Sequence, residues 1–195
     1  MSLRYRLGGW LWVVGGVISL FACGRGGKQT ADLIQISPTE KQRVIATIYS
    51  QQEKLNLCEK ERDKGISPEA TEVYPLDGEK YLVEILCFMG AYQGNYQYLL
   101  FSSHNSTVKK ISFTTFTMQL ENRRITDSFT LVGTPQFEPK MRILSVYSLA
   151  RGLGDCGSFA RYRWDGFGFK LLEYRGKFKC DGRYSPPEEY PLIYP

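Results

Sequence analysis

Five cysteines and a single histidine carry most of the reactive potential of this chain. Cys58, Cys87, Cys156 and Cys180 are widely separated, with no Cys-x-x-Cys spacing suited to thiol–disulfide exchange. His104 alone cannot complete a structural zinc site with scattered thiols. It sits in Ser102-Ser103-His104-Asn105-Ser106, a polar turn without the strand–turn–helix context that presents a nucleophilic serine. The chemistry left to these four thiols is cross-linking, and an even number suits an oxidising compartment. Four cysteines allow three pairings. Sequential pairing, Cys58–Cys87 and Cys156–Cys180, closes the shortest loops, and each bridge would stabilise by about 3–4 kcal/mol in the chain-entropy picture. The second pair also brackets a hairpin signal, Asp165-Gly166.

Among the carboxylates, Asp155 stands out within Arg151-Gly152-Leu153-Gly154-Asp155-Cys156-Gly157. Glycines of this kind let backbone amides approach a ligand, but no helix pattern follows, which argues against a phosphate loop. A tight turn locked by a disulfide is expected instead. A hydrolase acting on envelope polymer would need Asp155 to converge with Asp181 or Glu173 in one cleft. Glu188-Glu189 lies in a proline-rich tail and reads as solvated. On residues alone no catalytic group, metal or cofactor is assigned. The candidate binding surface comprises Tyr92, Tyr96 and Tyr98, the loop residues Arg151 and Asp155, and a basic face of Arg161, Arg163 and Lys170. Tyrosine suits glycan or protein contact because it offers an apolar ring with a polar tip. An inhibitor of a periplasmic enzyme would instead present a rigid protruding loop with an exposed aromatic at its tip.

The elements that must hold these residues follow from local pattern. Ser37-Pro38-Thr39-Glu40 combines an N-cap, a proline at the first helical position and a capping-box glutamate. Val44, Ile45, Ile48 and Leu55 continue at helical spacing, so an amphipathic helix is expected to run from there and to end between Leu55 and Lys64. From Thr71 onward the chain reads as strands over 81–88, 96–101, 108–120, 125–132, 141–149, 160–164 and 167–174. No β–α alternation accompanies them, which excludes a parallel sheet. A two-residue Asp165-Gly166 turn would pair Trp164 with Phe167, Tyr162 with Phe169 and Ala160 with Leu171, leaving Arg161 opposite Lys170 on the other face. The expected class is α+β, mainly β: a twisted antiparallel sheet, barrel- or sandwich-like, with one N-terminal amphipathic helix packed on it.

The chain of 195 residues suits one domain, and its net charge of +5 without a lysine or arginine run does not suit a nucleic-acid binder. Residues 1–22 read as a signal peptide: Arg4 and Arg6, then an uncharged stretch from Leu7 to Phe21, fifteen residues interrupted by four glycines. A bilayer span needs roughly 20. Leu20-Phe21-Ala22-Cys23 resembles the lipobox of bacterial lipoproteins. That resemblance implies cleavage before Cys23, a diacylglycerol on its sulfur and acylation of the new amino terminus. Gly24 in place of an acidic residue implies sorting to the outer membrane, and residues 23–36 then form the lipidated cysteine and a flexible tether. Losing Arg4 and Arg6 leaves 23 basic against 20 acidic residues, a net +3, and Trp164 as the only tryptophan. The expected protein is a disulfide-stapled domain, residues 37–195, on the periplasmic side of the membrane. Its expected partners are the membrane, through the lipid, and an envelope protein or glycan.

A second resemblance rests on Cys87-Phe88-Met89-Gly90-Ala91-Tyr92, Tyr96-Gln97-Tyr98, Arg151-Gly152-Leu153-Gly154-Asp155-Cys156-Gly157, Trp164-Asp165-Gly166 and Cys180-Asp181-Gly182. In this order they are similar to an uncharacterised family of bacterial exported proteins, a domain of unknown function. The match covers roughly residues 80–195. It implies export and supports pairing of Cys156 with Cys180, and it implies no reaction.

Overall fold

The structure, a computed structural model, describes residues 35–58, 67–119 and 122–195. The expected signal peptide, the Cys23 lipidation site and most of the expected tether lie outside these residues.

Helix α1 spans Pro38–Tyr49. The Ser37 side chain accepts the Glu40 N–H at 3.1 Å and Pro38 opens the first turn, as the local signals require. The helix ends earlier than expected. The Ser50 N–H closes on Ala46 O at 3.0 Å, and tight turns follow, with Asn56 and Cys58 at φ of 45° and 50°. The early stop has a packing reason, because Leu57 and Cys58 turn inward and are buried beside Val44 and Ile48.

Eleven strands follow among the described residues: β1 Thr71–Pro75, β2 Lys80–Met89, β3 Gly94–Ser102, β4 Thr107–Lys110, β5 Phe113–Gln119, β6 Asn122–Ser128, β7 Thr130–Glu138, β8 Ile143–Leu149, β9 Gly157–Trp164, β10 Phe169–Lys177 and β11 Leu192–Tyr194. The main sheet runs β1-β2-β3-β7-β8-β9-β10-β11, with β4 also on β3. Every pairing is antiparallel. The sheet is open rather than a closed barrel. β3 shares one edge between two partners: Leu99–Ser102 pairs with β4 and Gly94–Gln97 with β7. Between β4 and β7 the chain leaves the sheet to form a separate β5–β6 hairpin. This excursion breaks the expected strands 108–120 and 125–132, each of which is cut at the point where the chain changes sheets.

Alternation along the strands buries both faces of the β1–β4 half. Val83, Ile85, Leu99 and Phe101 pack under α1 with Val44 and Ile48, forming one core cluster. Leu82, Tyr98, Leu144, Val146, Ala160, Tyr162, Trp164 and Phe169 form the other, beneath the β5–β6 hairpin. Phe113 of that hairpin is fully buried and meets Tyr98, Tyr162 and Phe169 at ring-centroid distances of 5.3, 5.0 and 5.6 Å. The architecture is thus sandwich-like, with a helix on one face and a two-stranded ribbon on the other.

The β9–β10 hairpin corrects the expected register. Trp164 pairs with Phe169 and Tyr162 with Leu171, two residues beyond the expected partners. The cause is Asp165, whose carboxylate accepts the N–H groups of Phe167 and Gly168, both at 2.9 Å, so that the turn needs four residues. Phe167 is expelled from the sheet and is 88% exposed. A bulge at Leu172 then places Glu173, not Lys170, opposite Arg161.

Candidate functional site

The strand ends around the Arg151–Gly157 loop build a densely cross-linked surface. Cys156 bonds Cys180, and Cys58 bonds Cys87. Asp155 is 2% exposed. Its carboxylate takes a two-pronged contact from Arg151, Nε at 2.7 Å and an Nη at 2.5 Å, and accepts the Gly182 N–H at 2.6 Å. The Arg151 guanidinium, with help from the Gly182 amide, holds this carboxyl well below the usual carboxylate range. One aspartate therefore fastens the loop to itself and, beside the disulfide, to the C-terminal segment. Gly157 is required at the loop's end because a Cβ there would lie 2.1 Å from the Ser148 carbonyl oxygen.

Gln93 braces the same region from the β2–β3 turn. Its amide Nε2 donates to Leu149 O at 3.2 Å and its Oε1 accepts the Leu149 N–H at 2.8 Å. Beyond Tyr147 the β8 strand has no β7 partner, and Gln93 supplies the missing hydrogen bonds. It also sets Tyr92, which is exposed, against the loop: a Cβ on Gly152 would meet the Tyr92 ring at 3.5 Å.

Beside this loop, between the β5–β6 hairpin and the sheet, opens a cleft of about 330 Å³. Ser148 and Ser158 face each other across β8 and β9 on its floor, followed inward by Val146, Ala160 and Tyr162. Thr115 and Phe116 of the hairpin and Phe178 after β10 form its walls. Gly176 lets the Phe178 ring fold back, since a Cβ there would come within 2.3 Å of two ring carbons. Tyr162 and Tyr174 donate to hairpin carbonyls of Thr114 and Phe116 at 3.1 and 3.3 Å, which holds the ribbon over the sheet. Among the described residues, none of those lining the cleft carries a charge.

The residues singled out from sequence divide. Tyr92, Arg151 and Asp155 come together at the loop, although Asp155 is buried rather than presented. Tyr98 is not a surface residue: it is fully buried and donates its hydroxyl to Glu84 Oε2 at 2.8 Å. Tyr96 is half-buried against the hairpin-side core. Tyr96 and Tyr98 share the β3 face that packs into this core while Tyr92 lies in the β2–β3 turn, which is why the three do not form one patch. The basic face is largely compensated. Arg161 lies 3.5 Å from Glu173, which also binds Arg175, and Lys170 lies 3.1 Å from Asp165. Arg163 stays exposed, across from Lys170.

The carboxylates named for the hydrolase reading are each engaged by a basic side chain. Asp155 is held by Arg151, Asp181 pairs with Lys177 at 3.0 Å, and Glu173 is shared between Arg161 and Arg175. Lys177 also holds Asp181 below its ordinary range. The carboxyl that does titrate near neutrality is Glu84 on β2. Burial pushes it up to about 7, the Tyr98 hydrogen bond opposes the shift, and Glu72 across the ladder adds to it. Glu84 does not line the cleft.

Sequence reasoning missed the cleft and its residues. Ser148 carries no signal of its own within the expected strand 141–149 and Ser158 lies before the expected strand 160–164, so only the register that sets them opposite each other marks them.

The uncharacterized protein YpfG of Escherichia coli (strain K12) is 38% identical over 58 residues, covering 30% of this chain. The match takes in only 16% of that relative's length. No solved structure matches. Residues 25–195 match the family described as protein of unknown function (DUF1176), and the chain belongs to that family.

Proposed function

We propose that the protein is a non-catalytic binding domain of the cell envelope, displayed from the outer membrane on the periplasmic side by a lipid on Cys23. Its ligand seat is the cleft under the β5–β6 hairpin, with Tyr92 and the Arg151–Gly157 loop forming the adjoining contact surface. The observation that carries this reading is a concave, partly hydroxylated cleft, without charge among its described lining residues, whose rim is fastened by Asp155, Gln93 and the Cys156–Cys180 bridge. Such preorganisation lowers the ordering cost of binding. The two disulfides suit an oxidising compartment, and among the described residues no helix is long and apolar enough to cross a membrane.

The test is to titrate the isotope-labelled chain with fractionated envelope extract and follow its amide resonances. Perturbations should cluster at Thr115, Ser148, Ser158 and Phe178 and extend to Tyr92. Perturbations confined to the helix face, or none with any fraction, would refute the reading.

A second reading, inhibition of a periplasmic enzyme, is favoured by one feature. Phe167 projects from a turn that Asp165 braces, and neither Gly166 nor Gly168 has any atom near the Cβ position. This is the exposed aromatic tip that such an inhibitor would need.

A further inference from the structure

We infer that the cleft takes an uncharged pyranose unit of a glycan, an inference that rests on the cleft being the binding seat proposed above. The floor offers the Ser148 and Ser158 side chains as a facing pair, and Thr115 offers a third hydroxyl from the hairpin wall. Among the described residues these three hydroxyls make no hydrogen bond, whereas the neighbouring Tyr162, Tyr174 and Ser128 hydroxyls are committed to backbone carbonyls. Each free hydroxyl can donate and accept, as can each hydroxyl of a sugar. Phe116 and Phe178 also line the cleft, and their rings would supply the apolar surface that the C–H face of a pyranose covers.

Charge selects against the other ligand classes. A phosphate, carboxylate or ammonium group placed in this cleft would lose hydration with no charged group among the described lining residues to replace it. A purely apolar chain would bury the three hydroxyls without partners, at a cost per group comparable to a lost hydrogen bond. The volume of about 330 Å³ lies at the small end of ordinary ligand sites, which fits one sugar ring with its substituents rather than an extended polymer. Chain continuation from that ring would leave past Leu149 and Ala150, toward Gly152 and Tyr92.

The experiment uses the full chain carrying Cys23→Ser, so that no attached lipid competes. It is titrated separately with maltose, cellobiose and N,N′-diacetylchitobiose, with digalacturonate, and with decanoate, while the amide resonances of the cleft are followed. At least one neutral disaccharide should shift Ser148, Ser158 and Phe178 with saturation. Its affinity should fall at least tenfold in Ser148→Ala/Ser158→Ala and in Phe178→Ala, while Arg163→Ala leaves it unchanged. Loss of the free serine hydroxyls removes no hydrogen bond of the folded state, so the double variant should retain the wild-type spectrum elsewhere. Saturating cleft shifts with decanoate or digalacturonate alone would overturn the sugar assignment while sparing the binding seat. Cleft resonances that none of the five probes moves would overturn the sugar assignment, and the seat itself falls if envelope extract is equally silent.

Discussion

At the scale of single residues, two carboxyls are shifted in opposite directions, and each shift has a structural cause. Asp155 gains a guanidinium and a backbone amide and is held charged, a fastening role that leaves it no proton to exchange near neutrality. Glu84 gains burial and a like-charged neighbour, and one tyrosine hydroxyl does not offset them. Its folded value of about 7 lies above the ordinary 4.5, so the native state binds more protons than the unfolded chain between those values. Stability must therefore fall as pH rises through that window. The full effect is on the order of 3.4 kcal/mol at most by the conversion of pKa shift to free energy. Glu84→Gln keeps an oxygen to accept the Tyr98 hydroxyl and removes the titration. Urea midpoints measured from pH 5 to 8 should decline for the wild type and stay flatter for E84Q, which should be the more stable protein at pH 8. Equal slopes for the two proteins would show that Glu84 does not titrate as described.

At the scale of elements, the hairpins decide what could be read in advance. The start of α1 is readable because Ser37, Pro38 and Glu40 act within four residues of one another. Its end is not, because the stop depends on Leu57 and Cys58 finding a buried place against strands distant in sequence. The register of β9–β10 turns on a side chain, Asp165, whose bonds to two backbone N–H groups favour a four-residue turn over the two-residue turn that Asp-Gly usually signals. Because the shift is two residues, Trp164, Tyr162 and Phe169 keep their inward face and the aromatic cluster is foreseen correctly even though its partners are not. The strands of the β5–β6 hairpin are legible, but their detachment from the main sheet has no local signal; it is fixed by Phe113 entering the core between Tyr98, Tyr162 and Phe169. Phe113→Ala should cost about 3–5 kcal/mol, as for other buried phenylalanines, and should loosen the hairpin over the cleft. Phe167→Ala, at an 88% exposed position, should stay within about 0.5 kcal/mol of the wild type. Thermal and urea unfolding of the two variants test both, and a neutral Phe113→Ala would mean the ribbon is not anchored there.

At the scale of the whole molecule, the cleft, the loop and the proposed anchor are linked by the cysteines. The two bridges close loops with sequence separations of 29 and 24, and they fall at opposite ends of the sheet order. Cys58–Cys87 ties the turns after α1 to β2, while Cys156–Cys180 ties the rim of the cleft to the segment after β10. The remaining tail then returns: buried Tyr190 meets Tyr147 edge-on with ring centroids 6.4 Å apart, its carbonyl accepts from Arg175 at 3.0 Å, and β11 pairs with β10. None of the four bridging thiols is spare, so the fifth, Cys23, is the one whose chemistry must lie elsewhere. If it carries lipid, then a single atom separates the address of the protein from its fold. Cys23→Ser should release the protein from the membrane fraction into the soluble fraction, since no acyl chain remains to hold it. Non-reducing peptide mapping of the released protein should still show Cys58 joined to Cys87 and Cys156 to Cys180. Retention of Cys23→Ser in the membrane would eliminate the lipid anchor, and free thiols at 156 and 180 would eliminate the fastened rim on which the binding seat depends.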